Sequence, residues 1–167
     1  MNNNVLSKSY DLRRLTEEDI SIIYDLCINN EIYNKYCPPL PSYESIQKDM
    51  VALPPQKEYK DKYYLGYFKD NKLIAVMDLI DKYPNDTTIF IGFFMVDLKC
   101  QNKGIGSGII NELIDSVKEL GYKDIRLGYV EGNSQSFSFW KKNGFIDTGL
   151  RNYYDNYTVI ILNKNLH

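Results

Sequence analysis

The sequence predicts an α/β (α+β) fold over residues 1–167, a single domain built on one mixed, mostly antiparallel β-sheet with helices on both faces. Three observations carry this. The chain has 167 residues, 44% of them apolar and 25% charged, enough to bury one core without a metal or disulfide staple. Turn signals at Asp70-Asn71-Lys72 and Pro84-Asn85-Asp86 join extended apolar runs into antiparallel hairpins. Between Thr87 and Val130 a strand, an amphipathic helix and a second strand follow one another, and such a unit closes as a right-handed parallel crossover.

The elements follow in order. Asn2 to Asn4 read as a loose tail, and Tyr10 to Leu15 as a short strand. Thr16-Glu17-Glu18-Asp19 is a capping-box start, after which Ile20, Ile23, Leu26 and Cys27 repeat at helical spacing to about Asn29. Tyr33 to Ser42 is rich in Tyr and Pro and reads as a loop. Ser42 caps a second helix with Ile46, Met50 and Leu53 on one face, stopped by Pro54-Pro55. Tyr63–Lys69 and Leu73–Ile80 form a hairpin. Thr87–Val96 is nearly all apolar and is expected to be buried on both faces. A helix from about Gly104 to Leu120 places Ile105, Ile109, Leu113, Val117 and Leu120 on one stripe, with Gly121 after its end. Asp124–Val130 is a strand and Gln135–Lys142 a short helix. Phe145–Leu150 and Tyr157–Leu162 close the chain as a hairpin.

Composition excludes several classes of function. The net charge is −2, so no basic field marks a nucleic-acid partner. No apolar run approaches the roughly 20 residues of a membrane span, and the first residues lack the apolar core of a signal peptide. The three cysteines, Cys27, Cys37 and Cys100, are odd in number and widely spaced, as expected of free thiols in the cytoplasm. The single histidine is His167, so neither a zinc site nor a histidine triad is expected, and no metal is assigned.

The informative segment is Gln101-Asn102-Lys103-Gly104-Ile105-Gly106-Ser107-Gly108, between the apolar strand and the amphipathic helix. Free N–H groups and the positive dipole end of a helix start attract an anion, and a pyrophosphate fits there. Lys103 adds a charge. Three motifs compete. A P-loop needs its Lys after the glycines, and a dinucleotide fingerprint needs Gly where position 109 is Ile. Gln/Arg-x-x-Gly-x-Gly/Ala is satisfied by Gln101, Gly104 and Gly106. A glycine-rich turn with no ligand is the remaining alternative.

A second segment runs Asn133-Ser134-Gln135-Ser136-Phe137-Ser138-Phe139-Trp140-Lys141-Lys142-Asn143-Gly144-Phe145. Together the two segments resemble the GNAT N-acetyltransferase superfamily, whose second signature is Asn-x-x-Ala-x-x-Phe-Tyr-x-Lys-x-Gly-Phe. Asn133, Phe139, Lys142, Gly144 and Phe145 match it, and Ser136 stands at the small position. The resemblance is strong over residues 87–145, and the element order extends it over most of the chain.

The resemblance implies an acyl-CoA N-acyltransferase fold in which the central parallel strands, 87–96 and 124–130, splay apart around acetyl-CoA as co-substrate. Met95 and Val96 would offer backbone groups to the pantetheine arm, and the Val96 N–H would hold the thioester carbonyl and its oxyanion. Gln101, Asn102, Lys103, Gly104, Ile105, Gly106 and Ser107 would bind the pyrophosphate. Asn133 would bond the pantetheine or substrate side, and Ser136, Phe139, Trp140 and Lys142 would line the opposite wall. Trp140 stands where the family usually has the Tyr that protonates the leaving thiolate, and an indole is no acid near neutral pH. Tyr129, Tyr153 and Tyr154 are substitute phenols. The strand 87–96 carries no carboxylate, so Asp78, with Asp81, is the nearest candidate base; if both are turn or surface residues, a water relay is the default. Tyr33 and Tyr36 are candidate contacts to the acceptor. The implied reaction is direct transfer of acetyl to a primary amine, with no covalent acyl-enzyme, no nucleic acid and no membrane, in a chain whose relatives are often homodimers. The alternative is a catalytically weak acyl-CoA-binding sensor.

Overall fold

The computed structural model describes residues 6–167, and the Asn run at 2–4 lies outside them. One seven-stranded sheet runs in the order β1-β2-β3-β4-β5-β7-β6. Its strands are β1 Asp11–Arg14, β2 Lys62–Lys69, β3 Lys72–Ile80, β4 Thr88–Val96, β5 Asp124–Val130, β6 Ile146–Tyr153 and β7 Thr158–Asn165. Only β4 and β5 are parallel, and the expected α/β arrangement with helices on both faces is present. Among the α-helices that lie wholly within the described residues, three precede β2: α1 Ile20–Ile28, α2 Glu31–Tyr36 and α3 Tyr43–Val51. α4, Ile105–Glu119, connects β4 to β5, and α5, Ser134–Lys142, follows β5.

Local chemistry explains these boundaries. The Asp19 carboxylate accepts the Thr16 N–H at 2.9 Å and pairs with Arg13 at 2.7 Å, fixing the start of α1. Ser42 caps α3, its Oγ accepting the Ser45 N–H at 3.1 Å. Asp70 and Asn71 both adopt positive φ, 50° and 60°, as the tight β2–β3 turn requires. α4 buries Ile109, Ile110, Leu113 and Val117 completely, contributing roughly 1.5–3 kcal/mol per side chain. Leu120, expected on that stripe, follows the last helical residue and is exposed.

Two cores result. One lies between the sheet and α4, where Met77, Leu79, Ile89, Leu127 and Leu162 meet the helix stripe. The second lies on the other face, where Ile23, Leu26 and Cys27 of α1 and Ile46 and Met50 of α3 cover Tyr64, Val76 and Met95.

Two expectations are corrected. Residues 33–42 are not wholly loop, because α2 occupies Glu31–Tyr36. At six residues it is too short to show a periodicity. Asn34 makes it possible by donating to the Cys27 and Ile28 carbonyls, both at 3.2 Å, which closes the end of α1. The last hairpin is also longer than expected. Gly149, at φ 82°, sits in a bulge between Asp147 and Arg151 that lets β6 continue to Tyr153.

Candidate functional site

β4 and β5 pair through Thr88–Asp124, Ile89–Ile125, Phe90–Arg126 and Ile91–Leu127, and pairing stops there. Beyond it β4 stays bound to β3 up to Val96, while β5 stays bound to β7 up to Val130. The expected splay is therefore present, and it opens toward the C-terminal ends of the two strands.

The β3–β4 register decides which groups face the gap. The Asp97 N–H donates to the Ile74 carbonyl at 2.8 Å. By antiparallel alternation Met95 and Phe93 also turn their main chain to β3, while Val96 and Phe94 turn theirs away from it. Val96 thus turns its N–H toward the gap. Met95 does not: its main chain faces β3 and its side chain lies in the α1–α3 core. The second strand residue facing the gap is Phe94, which sequence reading missed because it gives no register. The Phe94 ring stacks on Phe139 of α5 at 5.9 Å.

The gap ends at the start of α4. Gly104 adopts φ +80°, a conformation glycine permits, and turns the chain into the helix. The first bond back to this turn is from the Gly108 N–H to the Gly104 carbonyl at 2.9 Å, so the N–H groups of Ile105, Gly106 and Ser107 precede the intrahelical ladder. Gly106 is closely surrounded. A Cβ there would stand 3.1 Å from the Phe139 ring and 3.4 Å from Val96 Cγ2. Asn102 adopts φ 59°, and Lys103 is exposed, its Nζ donating to the Lys99 carbonyl at 2.7 Å. The Gln101 side chain turns away from the helix start. Its Nε2 donates to the Val96 carbonyl at 2.9 Å and to Asn30 Oδ1 at 2.5 Å.

α5 lines the other wall. Asn133 caps it, Oδ1 accepting the Ser136 N–H at 3.0 Å, which gives both residues a structural task at the helix start. Phe139 is half-buried, and Lys142 is exposed in the last turn. Trp140 belongs to the core, its ring among Phe94, Phe139 and Phe145 at 4.9–5.9 Å. Among the substitute phenols, Tyr129 stands on the stretch of β5 that is no longer paired with β4, and stacks on Phe137 at 5.8 Å. Tyr153 and Tyr154 are exposed on the edge hairpin.

On the opposite face α2 crosses the mouth of the gap. The Tyr33 ring meets Phe93 of β4 edge-on at 5.7 Å. Tyr36 Cε1 stands 3.8 Å from where a Cβ on Gly132, just after β5, would be. Burial, with Cys37 second, pushes the Tyr33 phenol far above its ordinary value, so it remains a neutral hydroxyl.

The two candidate acids separate. Asp81 lies at the far end of the sheet, held by the Tyr122 hydroxyl. Asp78 lies at the closed end of the gap. Asp78 pairs with Phe93 and Leu79 with Ile91, so Gly92 is the extra residue of a bulge. A Cβ on Gly92 would meet Asp78 Oδ2 at 2.6 Å, so the carboxylate occupies the room a side chain would need. Asp78 is 8% exposed, Oδ2 accepts from Lys62 Nζ at 2.8 Å, and buried Oδ1 has no hydrogen-bond partner. Burial raises its pKa, Lys62 pulls it down and Asp49 of α3 pushes it up. Gly92 had a signal in the sequence, an isolated glycine inside an apolar strand. Lys62 had none.

Residues 29–145 match the model of the Acetyltransferase (GNAT) family. Similar solved structures include an acetyltransferase from Thermus thermophilus, with a TM-score of 0.74 at 14% identity over 95% of this chain and 97% of that one. A spermidine N-acetyltransferase from Vibrio cholerae, in complex with CoA and spermine, gives 0.70 at 18% identity over 96% and 97%. A PaiA N-acetyltransferase from Thermoplasma acidophilum, in complex with coenzyme A, gives 0.66 at 22% identity over 95% and 99%. These likenesses establish the fold.

Proposed function

We propose, from the premise that this chain belongs to the GNAT acetyltransferase family, that it moves an acetyl group from acetyl-CoA directly to a primary amine. The observation that carries the reading is the gap between β4 and β5, with the Phe94 and Val96 N–H groups on one side and the glycine-lined start of α4 at its end. The residues present fit the co-substrate. The diphosphate meets the free N–H groups of Ile105, Gly106 and Ser107, and the pantetheine arm lies along β4 as an added strand.

The acceptor enters from the α2 face, past Tyr33 and Tyr36. A primary amine arrives as an ammonium and must lose a proton before it attacks. Asp78 takes that proton, directly or through one water, using the lone pairs of Oδ1. The neutral nitrogen then forms a bond to the thioester carbon, and the oxyanion that results is held by the β4 N–H groups. Collapse breaks the carbon–sulfur bond. The thiolate leaves and takes the second proton of the nitrogen, directly or through water, so that the products are the amide and the free thiol. The thiol pKa of about 8.5 makes this departure tolerable without a strong acid, which suits a site whose Trp140 is packed in the core.

That same Trp140 favours a second reading, an acyl-CoA-binding module with little turnover. The test is calorimetric titration with acetyl-CoA, then free-thiol release with a panel of primary amines. Binding with amine-dependent thiol release is expected. Binding without release for any amine selects the second reading, and absence of binding overturns both.

A further inference from the structure

The Val96 carbonyl faces the gap beside the Val96 N–H, yet it is already engaged. Gln101 Nε2 donates one proton to it at 2.9 Å and the other to Asn30 Oδ1 at 2.5 Å. Asn30 is 6% exposed, and its Nδ2 donates to the Leu26 carbonyl at 2.8 Å, with a longer contact of 3.5 Å to the Val96 carbonyl. Leu26 lies in the last turns of α1, and Asn30 is the residue immediately before α2. Three segments thus converge on one oxygen: the end of β4, the loop that precedes α4, and the α1–α2 junction.

We propose that Gln101 and Asn30 are positioning residues that cap the Val96 carbonyl, so that Val96 presents only its N–H to the thioester arm while α2 is tied to the strand that binds it. The inference rests on the acetyl-CoA reading of the gap. It gives Gln101 a task different from the one its place in the glycine motif suggests, since both protons of its amide are spent on Val96 and Asn30 rather than on a diphosphate. It also links the two binding regions. The helix that carries Tyr33 and Tyr36 begins at the side chain that holds the end of β4, so a shift of either is felt by the other.

The experiment compares acetyl-CoA with acetylpantetheine, which carries the thioester arm and no diphosphate. Gln101→Met fills the same space and donates nothing. Binding of acetyl-CoA is measured by calorimetry, and of acetylpantetheine by NMR titration. Gln101→Met is expected to weaken both ligands by the same factor, about tenfold for the loss of the carbonyl cap. Gln101→Arg, which still offers paired N–H donors, is expected to bring acetylpantetheine binding back toward the parent. If Gln101→Met weakens acetyl-CoA alone, the side chain serves the diphosphate and the proposal fails. Asn30→Ala combined with Gln101→Met should bind no more weakly than the worse single variant, because both act through one oxygen. Additive losses would also overturn it. Failure of the parent protein to bind acetyl-CoA is a separate result, and it removes the reading of the gap itself.

Discussion

Asp78 is buried, half-paired and placed where the sheet opens, and each property has a measurable consequence. Its pKa is raised, so the native fold holds this proton more strongly than the unfolded chain does. By linkage, the stability it contributes is full below the unfolded value of about 3.9 and is lost as pH rises through the native one. Activity should run the opposite way, because a base must be ionised to accept a proton. The acid limb of kcat/KM is expected above the ordinary carboxylate range, and a limb near pH 4 would argue that Asp78 is not the base. The charges facing it are Lys62 of β2 and Asp49 of α3. Asp78→Asn strands the buried Lys62 ammonium, at a cost of about 3–5 kcal/mol. Pairing it with Lys62→Met should recover most of the melting temperature and none of the turnover, which stays down by about 10²–10⁴. Parent-like turnover in the double variant, at saturating acetyl-CoA, would exclude Asp78 from the chemistry. The sequence named Asp78 as an acid near the gap. It could not name Lys62, because a lysine opening a strand reads as a surface residue until tertiary packing buries it.

At the scale of the element, two of the three glycines at the start of α4, Gly104 and Gly108, should behave oppositely although both have open space around them. A Cβ at Gly104 or Gly108 would meet nothing within 4 Å. Gly104, however, holds φ +80°, so Gly104→Ala costs about 1–2 kcal/mol in backbone strain and tilts the free N–H groups at the helix start. Gly108 lies inside the helix, where Gly108→Ala should stabilise by roughly 0.5–1 kcal/mol. Thermal denaturation with acetyl-CoA titration separates them: lower melting and weaker binding for the first, higher melting for the second. Equal effects would mean that the helix starts elsewhere. Such long, strongly patterned elements were legible in the sequence. α4 announced itself through its stripe, and the glycines through their spacing. α2 was hidden, because a six-residue helix is held by Asn34 reaching back to α1 rather than by any pattern of its own. The sequence also separated the β4 and β5 strands correctly, but not which residues of β4 turn toward the gap. That depends on register, set by the Asp97–Ile74 bond and the Gly92 bulge, which turns the main chain of Phe94 toward the gap and that of Met95 toward β3.

For the whole molecule, the consequence of the gap is a sheet in two blades. β1 to β4 form one and β5, β7 and β6 the other, and only four residue pairs, from Thr88–Asp124 to Ile91–Leu127, join them across the middle. α4 packs beneath both, with Ile109 and Leu113 in the same core as Leu79 and Leu127, so the blades are held from below while their upper halves stand apart. A ligand in the gap supplies the missing strand contacts and binds only the folded state. At a hundred times its Kd it should therefore add about 2.7 kcal/mol of stability. For a chain of this size that corresponds to a melting shift of roughly 5–10 °C. Amide exchange locates the effect. The Phe94 and Val96 N–H groups face the gap and should exchange quickly without ligand, whereas those of Phe93 and Met95, bound to β3, should be slow throughout. With acetyl-CoA present, Phe94 and Val96 should become protected along with Ile105 to Ser107. Protection confined to the α4 start would mean that the diphosphate docks while the thioester arm lies outside the gap, and the direct-transfer geometry would then be wrong.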